Sequence, residues 1–153
     1  MAQPLISIIT ISYNCADAIE KTIRSVLSQR YTDFEYIIID GGSTDGTADI
    51  ICRHNPHLAY WVSEKDKGIS DAFNKGIAAA KGKYINLLNA GDSFASIRDW
   101  WVKVRSILKK KHCWDTRPLL STGTYMQRWG ATMVAIRSGW TLTFFSAYCL
   151  TMR

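Results

Sequence analysis

Four short apolar runs recur along the first ninety residues, separated by stretches of helical period. This alternation constrains the fold more than any other feature of the chain. Ile6 to Ile11 (ISIITI) is β-branched almost throughout and suits a strand buried on both faces. Tyr36 to Ile39 is a second run, Leu58 to Val62 a weaker third, and Tyr84 to Leu88 a fourth. Between the first two, Ile19, Ile23, Val26 and Leu27 fall at helical spacing behind Asp17 and Glu20, which read as a capping box. A short helix is predicted over Thr47 to Arg53, ahead of Pro56. Ile69, Ala72, Phe73, Ile77 and Ala80 mark one face of a further helix that stops near Gly82. Strands alternating with helices predict an α/β fold, a mostly parallel sheet with right-handed crossovers and flanking helices.

In such sheets, ligands bind beyond the carboxyl ends of the strands. Three polar clusters, Ser12–Asn14, Asp40–Asp45 and Asn89–Asp92, stand at three such ends. Asp40 follows three isoleucines. Its carboxylate can accept hydrogen bonds from a base N–H or a ribose hydroxyl, or it can cap the GGSTDG turn or the next helix, and spacing leaves both open. Asp45-Gly46 reads as a tight turn and helix start without a ligand. Asp92 is either a turn residue or a hard oxygen ligand for Mg²⁺ or Mn²⁺. Tyr13 either lays its ring along a nucleobase or covers the sheet edge. GGSTDG lacks the lysine of a phosphate-binding P-loop, and no GxGxxG follows the first strand. His54, His57 and His112 form no ligand pair and read as surface residues, and no Ser–His–Asp or Cys–His arrangement is present.

Composition divides the chain at Ser93. Through that residue there are nine Lys and Arg against eleven Asp and Glu, a net −2. From Phe94 onward there are ten against two, a net +8, and five of the six tryptophans. The overall charge of +6 thus belongs to the second part. Residues 1–93 therefore read as one ligand-binding unit and 94–153 as an atypical basic, Trp-rich segment. A helix is predicted from about Ile97 to Lys111, with little periodicity beyond Cys113. Cys15, Cys52, Cys113 and Cys149 are scattered, with no metal or disulfide spacing; they read as small buried or half-buried thiols suited to a reducing cytosol. The first fourteen residues lack the basic lead and cleavage site of a secretory signal, and no stretch is long enough for a membrane span. The lysine cluster and aromatics of the tail carry no nucleic-acid recognition motif.

Taken together, ISIITISYN, IIIDGGSTDGT and SEKDKGISDAFNKGIAAAKGKYINLLNAGD resemble, in order and spacing, the motifs of family 2 glycosyltransferases with the GT-A fold. The resemblance runs from residue 5 to about 94. The SEKDKGISDAFNKGI stretch is most similar to bacterial enzymes of surface-polysaccharide assembly, such as O-antigen or colanic-acid glycosyltransferases. The resemblance implies inverting transfer of a sugar from a nucleotide donor, commonly UDP-linked, to a hydroxyl of a glycan or lipid-linked acceptor. By the family pattern Thr10, Ser12 and Tyr13 line the nucleoside pocket, and Asp40 binds base or ribose. Asp71 and Asn74 face the donor, and Asp92 holds the divalent cation. A cytoplasmic protein, peripheral at the inner membrane, is the corresponding expectation.

The chain departs from the pattern in places. Asn89 and Gly91 stand where many relatives carry further acids, and Phe73 stands where many carry an arginine. The family's catalytic base, an Asp or Glu, comes well after the metal motif; here only Asp99 and Asp115 follow Asp92, of which Asp99 comes too early and reads as a helix start and Asp115 sits in no recognisable motif. A neutral hydroxyl needs such a base to attack an anomeric carbon. The expectation is an incomplete acceptor half with a truncated or frame-shifted C-terminal part. The alternative is a non-catalytic nucleotide-binding remnant whose basic tail meets a membrane or a partner.

Overall fold

The computed structural model describes residues 3–94 and 96–98, together with the backbone of two strands at 133–138 and 141–146. In chain order the elements are β1 (Ile6–Ser12), α1 (Ala16–Leu27), β2 (Phe34–Asp40), α2 (Thr47–Arg53), a 3-10 turn (Asn55–His57), β3 (Tyr60–Ser63), α3 (Ile69–Ala79), β4 (Tyr84–Asn89), β5 (Met133–Ser138) and β6 (Thr141–Ser146). They build one six-stranded sheet in the order β3-β2-β1-β4-β5-β6. The first four strands in that order are mutually parallel, while β5 and β6 are antiparallel to their neighbours. The expected α/β architecture is the one observed.

Burial explains why the register is unambiguous. All seven residues of β1 are buried, because helices cover both faces of the sheet. Ile6 and Ile8 pack with Ile19, Ile23 and Val26 of α1 and Ile51 of α2. Ile9 and Ile11 point the other way, against Ala72, Phe73 and Ile77 of α3. A slip of one residue would exchange the two sets, and each fully buried isoleucine contributes about 1.5–3 kcal/mol. Helix α3 lies so close to β1 that a Cβ at Gly76 would overlap Ile9 Cγ2, so the smallest residue is required there.

Three expectations need correction. The capping box at Asp17 and Glu20 does not form: α1 begins at Ala16 without a side-chain cap of its own, and Glu20 pairs with Arg24 on the exposed face. The orphan amides at this helix start are instead met from the loop before α2. Cys15 N–H donates to Thr47 Oγ1 (2.9 Å) and Ala16 N–H to Asp45 Oδ2 (3.0 Å). Ile69 is not a core residue but 55% exposed, because it begins α3 beyond the rim of the sheet. Cys52 is an exposed thiol, while Cys15 is half-buried as expected.

Strands β5 and β6 answer to none of the runs read from the sequence. Tyr84 to Leu87 of β4 pairs with Ile136 to Met133, so residues beyond Ser93 extend the same sheet. The helix expected over 97–111 lies outside the described residues apart from its first two positions, as do Asp99, His112, Cys113, Asp115 and Cys149. Among the described residues no helix is long and apolar enough to cross a membrane.

Candidate functional site

The parallel register brings the polar clusters to one rim. Ser12 is level with Asp40, and Ile11 with Asn89, so β1, β2 and β4 end together. Above that rim lies a cleft of about 410 Å³. Its floor is formed by Ile11, Ser12 and Gly41, and its walls by Tyr13 and Cys15 on one side and the Lys65–Ile69 loop on another. Asn89 and Ala90 close a third side.

Asp40 organises this rim from beneath. It is fully buried, and both carboxylate oxygens are occupied by the chain itself. Oδ1 accepts from Ser12 Oγ (2.8 Å) and Ser43 Oγ (2.6 Å), and Oδ2 from Ser43 N–H (2.9 Å) and Ser63 Oγ (2.6 Å). One carboxylate thus ties the ends of β1 and β3 to the loop after β2. Burial pushes its pKa up, but the hydrogen bonds from Ser43, Ser63 and Ser12 outweigh it and hold the carboxyl below its ordinary value. Of the two roles left open by spacing, the turn-and-rim role is fully formed in this conformation.

The cleft's recognition surface comes from residues around that hub. Tyr13 is 66% exposed, and with Ile69 it places two solvent-facing apolar side chains on one cavity, a surface suited to a flat ring. Gly41 keeps the floor open, since a Cβ there would lie 2.6 Å from Asp66 Oδ2 and 3.3 Å from the Tyr13 ring. Asp66 accepts Gly68 N–H through Oδ1 (2.8 Å), shaping the loop that leads into α3. Lys65 lines the cleft without an ion pair among the described residues. The N-terminus of α3, at Gly68 and Ile69, opens onto the same cavity, and a cation beside a helix start favours an anionic ligand. Lys65 and Asp66 were not singled out from the sequence, and Ile69 was read as a core position of α3 rather than a site residue. The polar run SEKDKG between a strand and a helix was the available signal.

Other sequence-predicted residues sit elsewhere. Thr10 is wholly buried, with its hydroxyl 3.0 Å from that of Tyr36, so it belongs to the core under α1 and does not line the cleft. Asp71 shapes the start of α3, accepting Lys67 N–H (3.1 Å) and lying 3.7 Å from Lys75 Nζ. Asn74 is exposed one turn along the helix. Neither lines the cavity; from α3 it is Ile69 and Ala72 that do. Ser12 and Tyr13 do line it.

Asp92 stands on the loop that leaves β4, exposed, and its carboxylate has no hydrogen bond or ion pair among the described residues. Its backbone is fixed: Asp92 N–H donates to Asn89 O (3.1 Å), and its carbonyl accepts from Thr22 Oγ1 (2.8 Å). Gly91 takes φ of 99°, which turns the chain sharply at this point. Among the described residues no group of three or more His, Cys, Asp or Glu is placed to hold a metal. Asp92 does not itself line the cavity but stands two residues past Ala90, which does, and a carboxylate uncommitted among the described residues fits a Mg²⁺-type ion that takes its remaining ligands from substrate phosphates and water.

Residues 7–119, well over half of the chain, match the family model described as Glycosyl transferase family 2. An uncharacterized glycosyltransferase of Mycobacterium tuberculosis is 44% identical over 93 residues, covering 60% of this chain and 36% of the relative. The putative teichuronic acid biosynthesis glycosyltransferase TuaG of Bacillus subtilis is 40% identical over 97 residues, covering 60% and 38%. Among solved structures, the mannosyltransferase PcManGT from Pyrobaculum calidifontis in complex with GDP-Man and Mn²⁺ superposes with a TM-score of 0.60 at 26% identity, over 68% of this chain and 32% of that one. The chain spans little more than a third of the length of these curated relatives. With a parallel sheet, flanking helices and a cleft at the strand ends of the GT-A type, the chain belongs to glycosyl transferase family 2.

Proposed function

We infer that this chain carries the donor-binding part of a bacterial glycosyltransferase that moves a sugar from a nucleotide-sugar, UDP-linked by the family resemblance, to a glycan or lipid-linked acceptor in surface-polysaccharide assembly. The observation that carries this reading is the cleft at the ends of β1, β2 and β4. It unites an apolar surface (Tyr13, Ile69), a cation (Lys65) and, on the adjoining loop, a carboxylate (Asp92), the last two without an ion pair among the described residues. These suit base, diphosphate and divalent metal in turn. Asp40 holds the rim to which the nucleoside binds, and Ser12 and Tyr13 face it. A bound Mg²⁺ or Mn²⁺ supplies charge neutralisation to the departing diphosphate. Support comes from a relative named for teichuronic acid biosynthesis and a fold neighbour with GDP-Man and Mn²⁺.

A second reading is binding without turnover by these residues alone, which span little more than a third of the relatives' length and in which the acids after Asp92, Asp99 and Asp115, carry no recognisable base motif. In either reading the net +8 segment after residue 93 draws the protein to the anionic inner face of the membrane; co-sedimentation with anionic liposomes should fall as salt rises. Calorimetric titration with UDP, GDP, ADP and CDP, with and without Mn²⁺, on wild type and Asp92→Ala tests the donor site. Mn²⁺-dependent UDP binding that the substitution removes is expected. Equal affinity in the variant would take Asp92 out of the metal role, and no binding of any nucleotide would end the reading.

A further inference from the structure

Thr22 and Ser25 of α1, with Gln29 just past the helix end, present polar side chains that bond to the segment leaving β4 as well as to the helix's own carbonyls. Thr22 is fully buried, and its hydroxyl is used twice: Oγ1 accepts Gly91 N–H (2.9 Å) and donates to the carbonyl of Asp92 (2.8 Å). Ser25 Oγ accepts Phe94 N–H (2.8 Å). Gln29 receives Ile97 N–H at Oε1 (2.9 Å) and donates from Nε2 to Phe94 O (3.0 Å). Phe94 and Ile97 are themselves buried in the core beneath α1. Thr22 and Ser25 are three residues apart on one face of α1 and Gln29 follows just past its end, and together they meet backbone groups of the segment after β4.

A threonine with no exposed surface that serves both the residue carrying the candidate metal ligand and the residue before it does more than fill the core. We propose that Thr22 is a positioning residue for the cation site: its hydroxyl fixes the Gly91–Asp92 backbone so that the Asp92 carboxylate is held at the cleft rim, and divalent-cation affinity depends on a helix that contributes no ligand. This rests on the assignment of Asp92 to the metal. An outer partner that orients a ligand typically affects metal affinity about 10- to 100-fold. Ser25 and Gln29 extend the fastening away from the site and should matter progressively less to the cation.

The test uses the full chain with Mn²⁺ and UDP as probes, on wild type, Thr22→Val, Thr22→Ser and Asp92→Ala. Thr22→Val keeps the shape and removes both bonds, whereas Thr22→Ser keeps both. Titration of Mn²⁺ at fixed UDP should give an apparent affinity about tenfold weaker in Thr22→Val, near wild type in Thr22→Ser, and metal-free UDP affinity equal in all. Hydrogen exchange at the Gly91 amide should speed up in Thr22→Val while the amides of β4 stay protected. Exchange that accelerates with no change in Mn²⁺ affinity overturns the proposal, because the fastening would then be structural alone. Should Asp92→Ala keep wild-type Mn²⁺ dependence, the metal assignment itself falls and carries the proposal with it. Loss in Asp92→Ala with no loss in Thr22→Val refutes only the positioning role.

Discussion

Two acidic side chains stand at the same end of the sheet, Asp40 closing β2 and Asp92 on the loop after β4, with β1 between the two strands, and their surroundings could hardly differ more. Asp40 is wholly buried, with both oxygens bonded to three serines. Asp92 is exposed, and among the described residues only its backbone is held. One strand end has used its charge to build the rim; the other leads to a loop whose backbone a neighbouring helix holds while the charge has no partner among the described residues. A carboxylate saturated by its own chain stabilises, and one whose backbone is fixed and whose oxygens are unspent is prepared to bind.

The sharpest way to break this contrast is to remove each acid and compare stability. Asp40→Ala leaves four donors facing an empty pocket and should lower stability by about 3 kcal/mol, read by urea denaturation. If the variant unfolds at the wild-type midpoint, the hub does not hold the rim. Acid should expose the same difference. A carboxyl held below its ordinary value in the folded state adds stability at pH above about 4 and loses that contribution as pH falls through the folded value. Denaturation midpoints of wild type should therefore fall on acidification below that point by more than those of Asp40→Asn. Parallel curves would remove the charge from the account. A smaller effect is expected at the mouth: Tyr13→Ala should weaken UDP binding about fivefold, on the order of 1 kcal/mol, if the ring stacks on a base. Unchanged affinity would leave Tyr13 as a cover for the sheet edge. The smallest effect completes the comparison. Asp92→Ala should change the unfolding free energy read from urea denaturation by no more than about 0.5 kcal/mol, as substitutions at exposed sites usually do, and a larger loss would mean that this carboxylate also serves the fold.

Most of the four-stranded parallel unit was legible, because β-branched runs such as ISIITI and the helical spacing of Ile19, Ile23 and Val26 report burial directly. Thr47 to Arg53 was placed to the residue. What periodicity cannot carry is who satisfies whom across the chain. Asp17 and Glu20 had the spacing of a cap, yet the amides at the start of α1 are met by Asp45 and Thr47, some thirty positions on. Ile69 matched the apolar face of α3 because spacing does not tell where a helix passes the rim of its sheet. Thr10 was placed in the pocket by the family pattern, but strand alternation turns it toward Tyr36. Thr22, Ser25 and Gln29 were invisible for a related reason: polar residues beside an apolar helical face read as solvent-facing until the segment after β4 is laid against them. The antiparallel pair β5 and β6 lies in a stretch whose alternation, Thr141-Leu142-Thr143-Phe144, is too short to stand out.

That last pair has a consequence for solubility. With β5 in place, β4 is an interior strand whose amides and carbonyls are paired on both sides. A version of the chain ending soon after Asp92 would leave β4 as a bare margin, five of its six residues drawn from the buried interior. Such a margin is a template for other copies of itself, and the shortened protein would be expected to self-associate through edge-to-edge strand pairing.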